Sequence, residues 1–458
     1  MMSNVAIDLI IIGAGPAGMS AALEARSQGL SVVVLDEQAS PGGQIYRQVL
    51  QADGRSRAVL GEDYYAGAEL AADFMGCGAR YLPNAAIWQV TPQREVHYLV
   101  EGQARILQGR HLLIATGALE RPMPIPGWTL PGVMTAGAGQ ILLKSSAMVP
   151  AGPVVLAGCG PLLYLLAVQY LRAGIVIDAL VDTSHRRDLL KAWRAIPGAL
   201  QGWRDLLKGA RLLVELKRAG IRHFRGAAHL RIEGADRARA LSFDSEGQHH
   251  RVPAELILLH QGVVPHTQIS RSLRLEHDWS ASQLCWVPRR NGFGESSAAG
   301  IFIAGDGGAI GGAQVARLEG QLAALAIAGR HGQAHGVRKA LRRARAARPL
   351  IDALYRPPAE HCVPADDVMV CRCEEVSAGD IRRYVDLGCL GPNQTKAFGR
   401  CGMGPCQGRQ CGLSVTQIIA AHRRVPPAEV GYYRIRPPLK PITLAQLAGE
   451  RHSPEELS

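Results

Sequence analysis

The chain has 458 residues, of which 47% are apolar and 20% charged, so it is long enough for two or three globular domains and too apolar for a disordered polymer. Its formal net charge of +12 suggests nucleic-acid binding. The basic residues are scattered, however, outside a run over 338–348 that predicts an Ala/Arg helix, and aromatic residues make up only 5%. We therefore expect no nucleic-acid partner.

The apolar N-terminus lacks the basic flank of a signal peptide and is interrupted by Asp8. No uncharged apolar run is long enough for a transmembrane helix. Ten cysteines in a chain of this length do not make a secreted disulfide scaffold. These features predict a cytoplasmic protein, and a peripheral position at the inner face of the membrane is compatible with them.

The first motif of the chain is G-x-G-x-x-G, between an apolar strand that begins near Asp8 and a predicted helix. A second strand, Val32–Leu35, ends in an acid at about the distance where a ribose-binding carboxylate belongs. In this context the loop is typical of a dinucleotide-binding βαβ unit, with the pyrophosphate on the helix N-terminus, rather than of an unrelated glycine turn. The residues predicted to bind the cofactor here are Gly13, Gly15, Pro16, Ala17, Gly18, Asp36 and Glu37.

Three later segments are typical of flavoproteins that contain two dinucleotide-binding domains. A Gly-Gly loop follows the second strand, a buried strand ends in Ala-Thr-Gly, and another ends in Gly-Asp before a helix whose positive end can face the flavin. No Cys-x-x-Cys or Cys-x4-Cys pair precedes residue 400, so disulfide chemistry on the flavin is not expected. These segments add Gly43, Gln44, Thr116, Gly117, Gly305, Asp306 and Gln314 to the predicted FAD site.

A second βαβ unit begins near residue 153, and its loop contains Gly158 and Gly160 but has Leu163 in place of a third glycine. Its second strand ends at Asp182, an acid that favours a free ribose 2′-hydroxyl. Two interpretations stay open: a site for a second nucleotide, NAD(P) or ATP, or a retained fold that has lost its site. His260 and His266 follow in this region, at strand ends where a structural histidine is more common than a catalytic one.

The C-terminal region contains cysteines in the pattern C-x-C-x32-C-x4-C, formed by Cys371, Cys373, Cys406 and Cys411. Four thiolates can hold zinc or a [2Fe–2S] cluster. A Cys-x-Cys half is unusual for zinc and familiar from small helical [2Fe–2S] domains of the bacterioferritin-associated ferredoxin type, so iron–sulfur is favoured over zinc and over ordinary buried thiols. Cys401 is an alternative to one of the four ligands.

The predicted fold is α/β, a two-dinucleotide-binding-domain flavoprotein of the Rossmann-like, doubly wound type with a small helical iron–sulfur domain. The predicted boundaries are residues 1–120 and 289–350 for the FAD domain, 121–288 for the NAD-like domain, 351–425 for the [2Fe–2S] domain and 426–458 for a C-terminal tail.

Four segments carry a family resemblance. They are Pro-Gly-Gly-Gln-Ile-Tyr-Arg, the G-x-G-P-L-L loop and, above all, Cys-Arg-Cys-Glu-Glu-Val with Gly-Met-Gly-Pro-Cys-Gln-Gly-Arg-x-Cys. Over roughly residues 5–425 the chain resembles the larger subunits of opine oxidases. It is equally similar to the α-subunits of hydroxyproline and proline dehydrogenases and to the B subunit of hydrogen cyanide synthase. In this pattern the residue before Gly-Met-Gly is not a ligand, so the resemblance favours Cys406 over Cys401.

The resemblance implies an electron-transfer subunit with FAD and a [2Fe–2S] cluster, which receives electrons from a second FAD protein that oxidises the substrate. It is also compatible with a small third subunit and with contact to quinone or membrane through the complex. The rival hypothesis is a self-sufficient NAD(P)H-dependent flavin and iron–sulfur reductase, in which the loop at Gly158 binds the nicotinamide cofactor. A basic nucleic-acid protein with zinc would leave the three FAD signatures unexplained.

Overall fold

A computed structural model describes residues 7–185, 192–449 and 451–452. Within these ranges no helix combines the length and the apolar character needed to cross a membrane. The first region of the chain is a βαβ unit followed by a meander of antiparallel strands. Its elements are β1 Ile7–Ile12, α1 Pro16–Ser27, β2 Val32–Leu35, α2 Gly54–Leu60, α3 Glu62–Gly76, β3 Arg80–Leu82, β4 Ala86–Val90, β5 Glu95–Val100, β6 Gln103–Ile114 and β7 Ala118–Glu120.

The second region contains a parallel sheet and a small antiparallel one. Its elements are β8 Val133–Thr135, α4 Ala136–Ser146, β9 Val154–Cys159, α5 Pro161–Arg172, β10 Ile177–Asp182, α6 Ile196–Ala199, α7 Trp203–Arg218, β11 His223–Arg225, β12 Ala228–Glu233, β13 Ala240–Ser245, β14 Gln248–Pro253, β15 Leu256–Gln261, β16 Val263–Pro265, α8 Gln268–Ser272, β17 His277–Ser280 and β18 Cys285–Pro288.

The chain then returns to the first sheet and ends in a mainly helical region. The remaining elements are β19 Ile301–Ile303, α9 Ala313–Ile327, α10 Ala334–Ala344, α11 Arg348–Leu354, α12 Ala359–Cys362, β20 Met369–Cys371, β21 Val376–Ser377, α13 Ala378–Asp386, α14 Pro392–Gly399, α15 Gly412–Arg423, α16 Pro427–Val430, α17 Leu444–Ala448 and β22 Arg451–His452.

The larger sheet has eight strands in the order β3-β2-β1-β6-β5-β4, with β19 and β22 also paired to β6. Strand β1 is an almost continuous apolar run because both of its faces are buried: Leu9 and Ile11 belong to the core under α1, and Ile10 and Ile12 belong to the core under the antiparallel strands. Ile12 is paired with both Leu35 and Ile114, and Ile303 is also paired with Ile114. These four strands therefore end at one edge of the sheet, where a doubly wound fold binds its ligand.

The second sheet is parallel, with the order β11-β10-β9-β15-β8. The short antiparallel pair β7–β16 connects the two sheets, because β7 leaves the first one and β16 leaves the second. The two-dinucleotide-domain fold that the sequence predicts is thus confirmed. The segment after residue 425 packs back on the molecule: Tyr433 is buried beside the cysteine region, and the Leu439 amide donates to the Trp88 carbonyl.

Candidate functional site

Two glycine loops meet at the carboxyl edge of the larger sheet. A β carbon on Gly43, whose φ is +61°, would lie 3.0 Å from the Gly15 α carbon, so a side chain at position 43 would be crowded at this approach. Gly18 lets α1 pack on β1, since a β carbon there would lie 1.9 Å from the Gly13 carbonyl oxygen. The result is a bare backbone surface at the N-terminus of α1, which is the shape and charge that a pyrophosphate requires.

Asp36 lies beside this loop, at the end of β2, and is buried. Its carboxylate accepts hydrogen bonds from the Ala14 amide at 2.5 Å and from the Gln38 amide at 2.7 Å. Burial raises the pKa of Asp36, although these two hydrogen bonds oppose the shift. The neighbouring Glu37 is exposed and forms an ion pair with Lys440. Asp36 is therefore held in a fixed orientation next to the phosphate loop, as a ribose-binding acid should be.

The Ala-Thr-Gly and Gly-Asp signatures lie side by side at the same edge. A β carbon on Gly307 would be 3.4 Å from the Gly117 carbonyl oxygen. Oδ1 of Asp306 accepts from the amides of Gly311 and Gly312 at 2.8 and 2.9 Å. Among the residues described, Oδ2 of Asp306 takes no hydrogen bond, so this oxygen can accept from a ribitol hydroxyl.

Gln314, in the first turn of α9, is exposed, as is Gln44 in the second glycine loop. The residues predicted for FAD thus converge on one edge of one sheet, and their backbone shape and donor set fit the cofactor.

Two further groups support this edge, and the sequence analysis did not identify either. Glu319 is buried, accepts from the Gly305 amide at 2.8 Å and forms an ion pair with Arg290 at 2.6 Å. Lys144 donates to the backbone carbonyls of Gln44 and Ile45 at 3.1 and 3.0 Å, and burial lowers its pKa to about 7. Both are single charged residues within apolar or mixed segments, so no motif distinguishes them.

The second glycine loop adopts the turn of a dinucleotide-binding unit, but its surroundings differ. Gly158 and Gly160 have φ values of +131° and +123°, and a β carbon on Gly160 would lie 3.2 Å from His260 Nε2. Nδ1 of His260 is 2.6 Å from Glu120 Oε1. The Cys159 thiol donates to the Tyr355 carbonyl at 3.7 Å, and burial raises the pKa of Cys159 to about 12.

Asp182, the acid expected to bind a second ribose, already has partners of its own. Oδ2 accepts from the Tyr164 hydroxyl at 2.5 Å, and Oδ1 accepts from the amide and hydroxyl of Ser184 at 2.8 and 2.7 Å. The Tyr164 ring lies 6.0 Å from the ring of Tyr355. Both oxygens of this buried acid are therefore used within the protein, and two aromatic rings lie beside it.

The C-terminal cysteines form two adjacent groups. Cys371, Cys401 and Cys411 are buried, and their sulfur atoms all lie within 4.8 Å of one another. The sulfur atoms of Cys373 and Cys406 are 3.8 Å apart, and Cys373 is exposed. Hydrogen bonds from Cys401 and Cys411 hold the pKa of Cys371 well below its usual value.

These distances fit metal coordination. A tetrahedral metal with sulfur bonds of about 2.3 Å has ligand atoms about 3.8 Å apart. The pair Cys373–Cys406 has this separation, and the buried group offers further ligands beside it. The structure thus brings the predicted ligands Cys371 and Cys411 together with Cys401, and the predicted ligands Cys373 and Cys406 together as a second pair.

The glycines of this region allow its loop to approach two side chains closely. A β carbon on Gly404 would lie 2.2 Å from the Cys373 β carbon, and β carbons on Gly402 and Gly408 would each lie 2.4 Å from the Tyr433 ring. The Tyr433 hydroxyl donates to the Cys401 sulfur at 3.3 Å. The sequence analysis missed Tyr433 because it belongs to the predicted tail.

Two cations lie near the cysteines: Arg400 forms an ion pair with Glu374 at 2.9 Å, and Lys396 lies 5.0 Å from the Tyr433 ring centre.

Known proteins with similar sequences extend these observations. Residues 7–162 match the family "Pyridine nucleotide-disulphide oxidoreductase", which supports FAD as a cofactor, and residues 367–451 match the "Sarcosine oxidase A3 domain". L-Proline dehydrogenase from P. horikoshii has the same fold, with a TM-score of 0.70 at 18% identity over 97% of this chain and 79% of that one.

The chain is 31% identical to hydrogen cyanide synthase subunit HcnB of Pseudomonas protegens, over 94% of this chain and 96% of that protein. It is 44% identical to the opine oxidase A-type subunit of Rhizobium meliloti (strain 1021), over 96% of this chain and 98% of that protein. The family resemblance indicated by the sequence is therefore confirmed, and the chain belongs to this A-type family of opine oxidase subunits, which are flavoprotein oxidoreductases.

Proposed function

We propose that this chain is the electron-accepting subunit of a heteromeric dehydrogenase that oxidises the C–N bond of an opine, hydroxyproline, proline or related amino acid. A second flavoprotein subunit would bind and oxidise the substrate. The observation that carries the proposal is the cysteine group of Cys371, Cys373, Cys401, Cys406 and Cys411 on the chain that also contains the FAD-type sheet edge. The heteromeric assembly is supported by relatives that are subunits of an opine oxidase, a hydrogen cyanide synthase and a sarcosine oxidase.

Bound FAD would supply a two-electron acceptor, and a [2Fe–2S] cluster would supply one-electron transfer. The residues of this chain hold the two groups. The bare loops at Gly15 and Gly43 take the pyrophosphate, Asp36 and Asp306 orient the ribose and ribitol hydroxyls, and the cysteines ligate the iron. Cys373 is exposed, so the cysteine group has one side open to a partner protein.

The rival hypothesis of an NAD(P)H-dependent reductase requires the loop at Gly158 to bind a nicotinamide cofactor. Asp182 is the acid that would hold the adenosine ribose, and its two oxygens already accept from Tyr164 and Ser184. Oδ1 of Asp182 accepts two hydrogen bonds and Oδ2 accepts one, whereas each oxygen of Asp36 accepts one, so Asp182 has less capacity left for a ribose hydroxyl than Asp36 has. This difference favours the electron-accepting subunit over the reductase.

The test is co-expression of this chain with the second FAD-containing subunit that the proposal requires. We expect substrate-dependent reduction of the FAD on this chain only in the complex. In a complex carrying Cys406→Ser, the partner's flavin should still be reduced by substrate while the FAD of this chain stays oxidised. Rapid reduction of the isolated chain by an opine or imino acid would contradict the proposal.

A further inference from the structure

The segment between β16 and α8 contacts the edge of the larger sheet that is predicted to bind FAD, called here the flavin edge. The His266 amide donates to the Gly117 carbonyl at 3.0 Å, and the Thr116 hydroxyl donates to the His266 carbonyl at 3.4 Å. Gly117 in turn lies against Gly307, next to Asp306. Two hydrogen bonds therefore connect residue 266 to the Ala-Thr-Gly loop of the predicted FAD site.

Gln268, two residues after His266, contacts the loop that contains Cys406. Nε2 of Gln268 lies 3.4 Å from the carbonyl oxygen of Cys406 and 3.4 Å from that of Gln407, and donates to both. The side chain of Gln268 is buried. Since the amide holds two consecutive carbonyls, it fixes both the position and the orientation of the peptide that follows Cys406. Three residues, 266–268, thus connect the two predicted cofactor sites.

His266 supplies a second, independent observation at this junction. Its Nε2 atom is buried and has no hydrogen-bond partner among the residues described. Burial, with the nearby charges of Arg409 and Lys440, lowers the pKa of this histidine to about 4, so the ring is neutral at physiological pH. A buried, unpaired ring nitrogen is costly in a folded protein, and one beside the flavin edge is explained if a bound group supplies its partner.

We infer that residues 266–268 couple the FAD site to the cysteine site, with Gln268 as the positioning residue that holds the Cys406 loop against the flavin edge. The inference rests on the proposed function. Electron transfer slows steeply with distance and proceeds better through bonds and hydrogen bonds than across gaps. A short segment bonded to both sites sets that distance. Full reduction of one flavin takes two electrons, which the iron site supplies one at a time, and the protons come from solvent.

The decisive variant is Gln268→Leu, which keeps the shape of the side chain and removes both donors, with Gln268→Glu as a second variant of the same size. The matched control is Gln169→Leu. Gln169 is also buried and donates to a backbone carbonyl, that of Leu60 at 3.2 Å, but among the residues described its side-chain hydrogen bonds, to Leu60 and from Gln140, include none to segment 266–268 or to the cysteines. The full chain is loaded with FAD and iron, and both contents are measured before any other reading.

In the Gln268 variants we expect unchanged iron and FAD contents and an altered EPR line shape of the reduced iron site. In the complex with the partner subunit, substrate-dependent reduction of the FAD on this chain should be about tenfold slower or more while reduction of the partner's flavin is unchanged, because a small misplacement of a reacting group is costly. Gln169→Leu should change neither reading.

An unchanged EPR spectrum and transfer rate in the variant that folds would overturn this inference alone. Wild-type protein that binds no iron would overturn the proposed function as well, and so the two failures can be told apart.

Discussion

The sulfur atoms of Cys373 and Cys406 lie 3.8 Å apart although 32 residues separate them in the chain. The contact is closed by Gly404, where any side chain would collide with Cys373. Two sulfur atoms at this distance can share one tetrahedral metal ion, and the buried group of Cys371, Cys401 and Cys411 can supply the ligands of a second. Two metal ions with two ligands each are the arrangement that a [2Fe–2S] cluster needs.

The first prediction separates Cys401 from Cys406. Because Cys406 completes the pair with Cys373, Cys406→Ser should abolish the EPR signal of the reduced protein and lower its iron content. Cys401→Ser should keep two irons and two sulfides per chain, since Cys371 and Cys411 remain as the ligands of the second iron. The iron content, the sulfide content and the EPR spectrum of the reduced protein are measured for each variant.

Two results would contradict this ligand set. If Cys401→Ser lost the cluster and Cys406→Ser kept it, Cys401 would be a ligand in place of Cys406. Stoichiometric zinc in place of iron would mean that the cysteines hold a zinc ion and not a [2Fe–2S] cluster. Cys389→Ser is the control, because Cys389 is a buried thiol that donates to the Gly391 carbonyl and lies outside both cysteine groups.

The second prediction distinguishes two glycines of one loop. At Gly15 a β carbon would meet only the Gly43 α carbon at 3.8 Å, an ordinary contact, so Gly15→Ala should fold normally. The added methyl would occupy the surface where the pyrophosphate lies, and FAD should be lost. At Gly18 a β carbon would lie 1.9 Å from a carbonyl oxygen, so Gly18→Ala should lower the melting temperature itself.

Flavin content and thermal unfolding of the FAD-free protein decide between these outcomes. Gly29→Ala is the control, because its added methyl meets nothing within 4 Å and it lies away from the loop, although its φ of +81° adds some backbone strain. If Gly15→Ala retained FAD fully, the pyrophosphate would not lie on the surface beside Gly15.

The third prediction compares two neighbouring arginines whose ion pairs differ in burial. Arg290 pairs with the buried Glu319, whereas Arg289 pairs with Glu276 at the surface. Removing one member of a buried pair leaves an unpaired charge, so Glu319→Ala should destabilise the protein by about 3–5 kcal/mol. Glu276→Ala should cost about 0–1 kcal/mol. Urea unfolding gives both values, and equal values would mean that the buried pair adds nothing to stability.

Much of the FAD edge could be predicted because each of its parts ends a strand. The apolar runs fix β1, β2, β6 and β19 as neighbours in a buried parallel sheet, so the residues that follow them, such as Gly13, Asp36 and Thr116, must meet at one edge. Glu319 and Lys144 could not be found in this way, because their roles depend on which backbone groups they reach after packing.

The cysteine region could be predicted only in outline. Spacing identifies a metal-binding composition, but it does not say which sulfur atoms meet, and the structure brings Cys401 into the buried group. Tyr433 closes that group from a segment whose sequence carries no metal-site pattern. The partners of Asp182 were equally hidden, because an acid at the end of a strand has the same sequence signature whether it faces a ribose or the Tyr164 hydroxyl.

The last prediction concerns the second glycine loop and uses the wild-type protein loaded with FAD. Added NADH or NADPH should leave the flavin absorbance unchanged over the time in which dithionite bleaches it. The reason is that Asp182 already accepts three hydrogen bonds, from the Tyr164 hydroxyl and from the amide and hydroxyl of Ser184, whereas Asp36 accepts two, and that Tyr355 contacts the loop at Cys159. Stopped-flow absorbance without oxygen makes the measurement, and dithionite shows that the flavin can be reduced. Rapid bleaching by NADH would show that the loop at Gly158 binds a nicotinamide cofactor despite these contacts, and it would favour the self-sufficient reductase over the electron-accepting subunit.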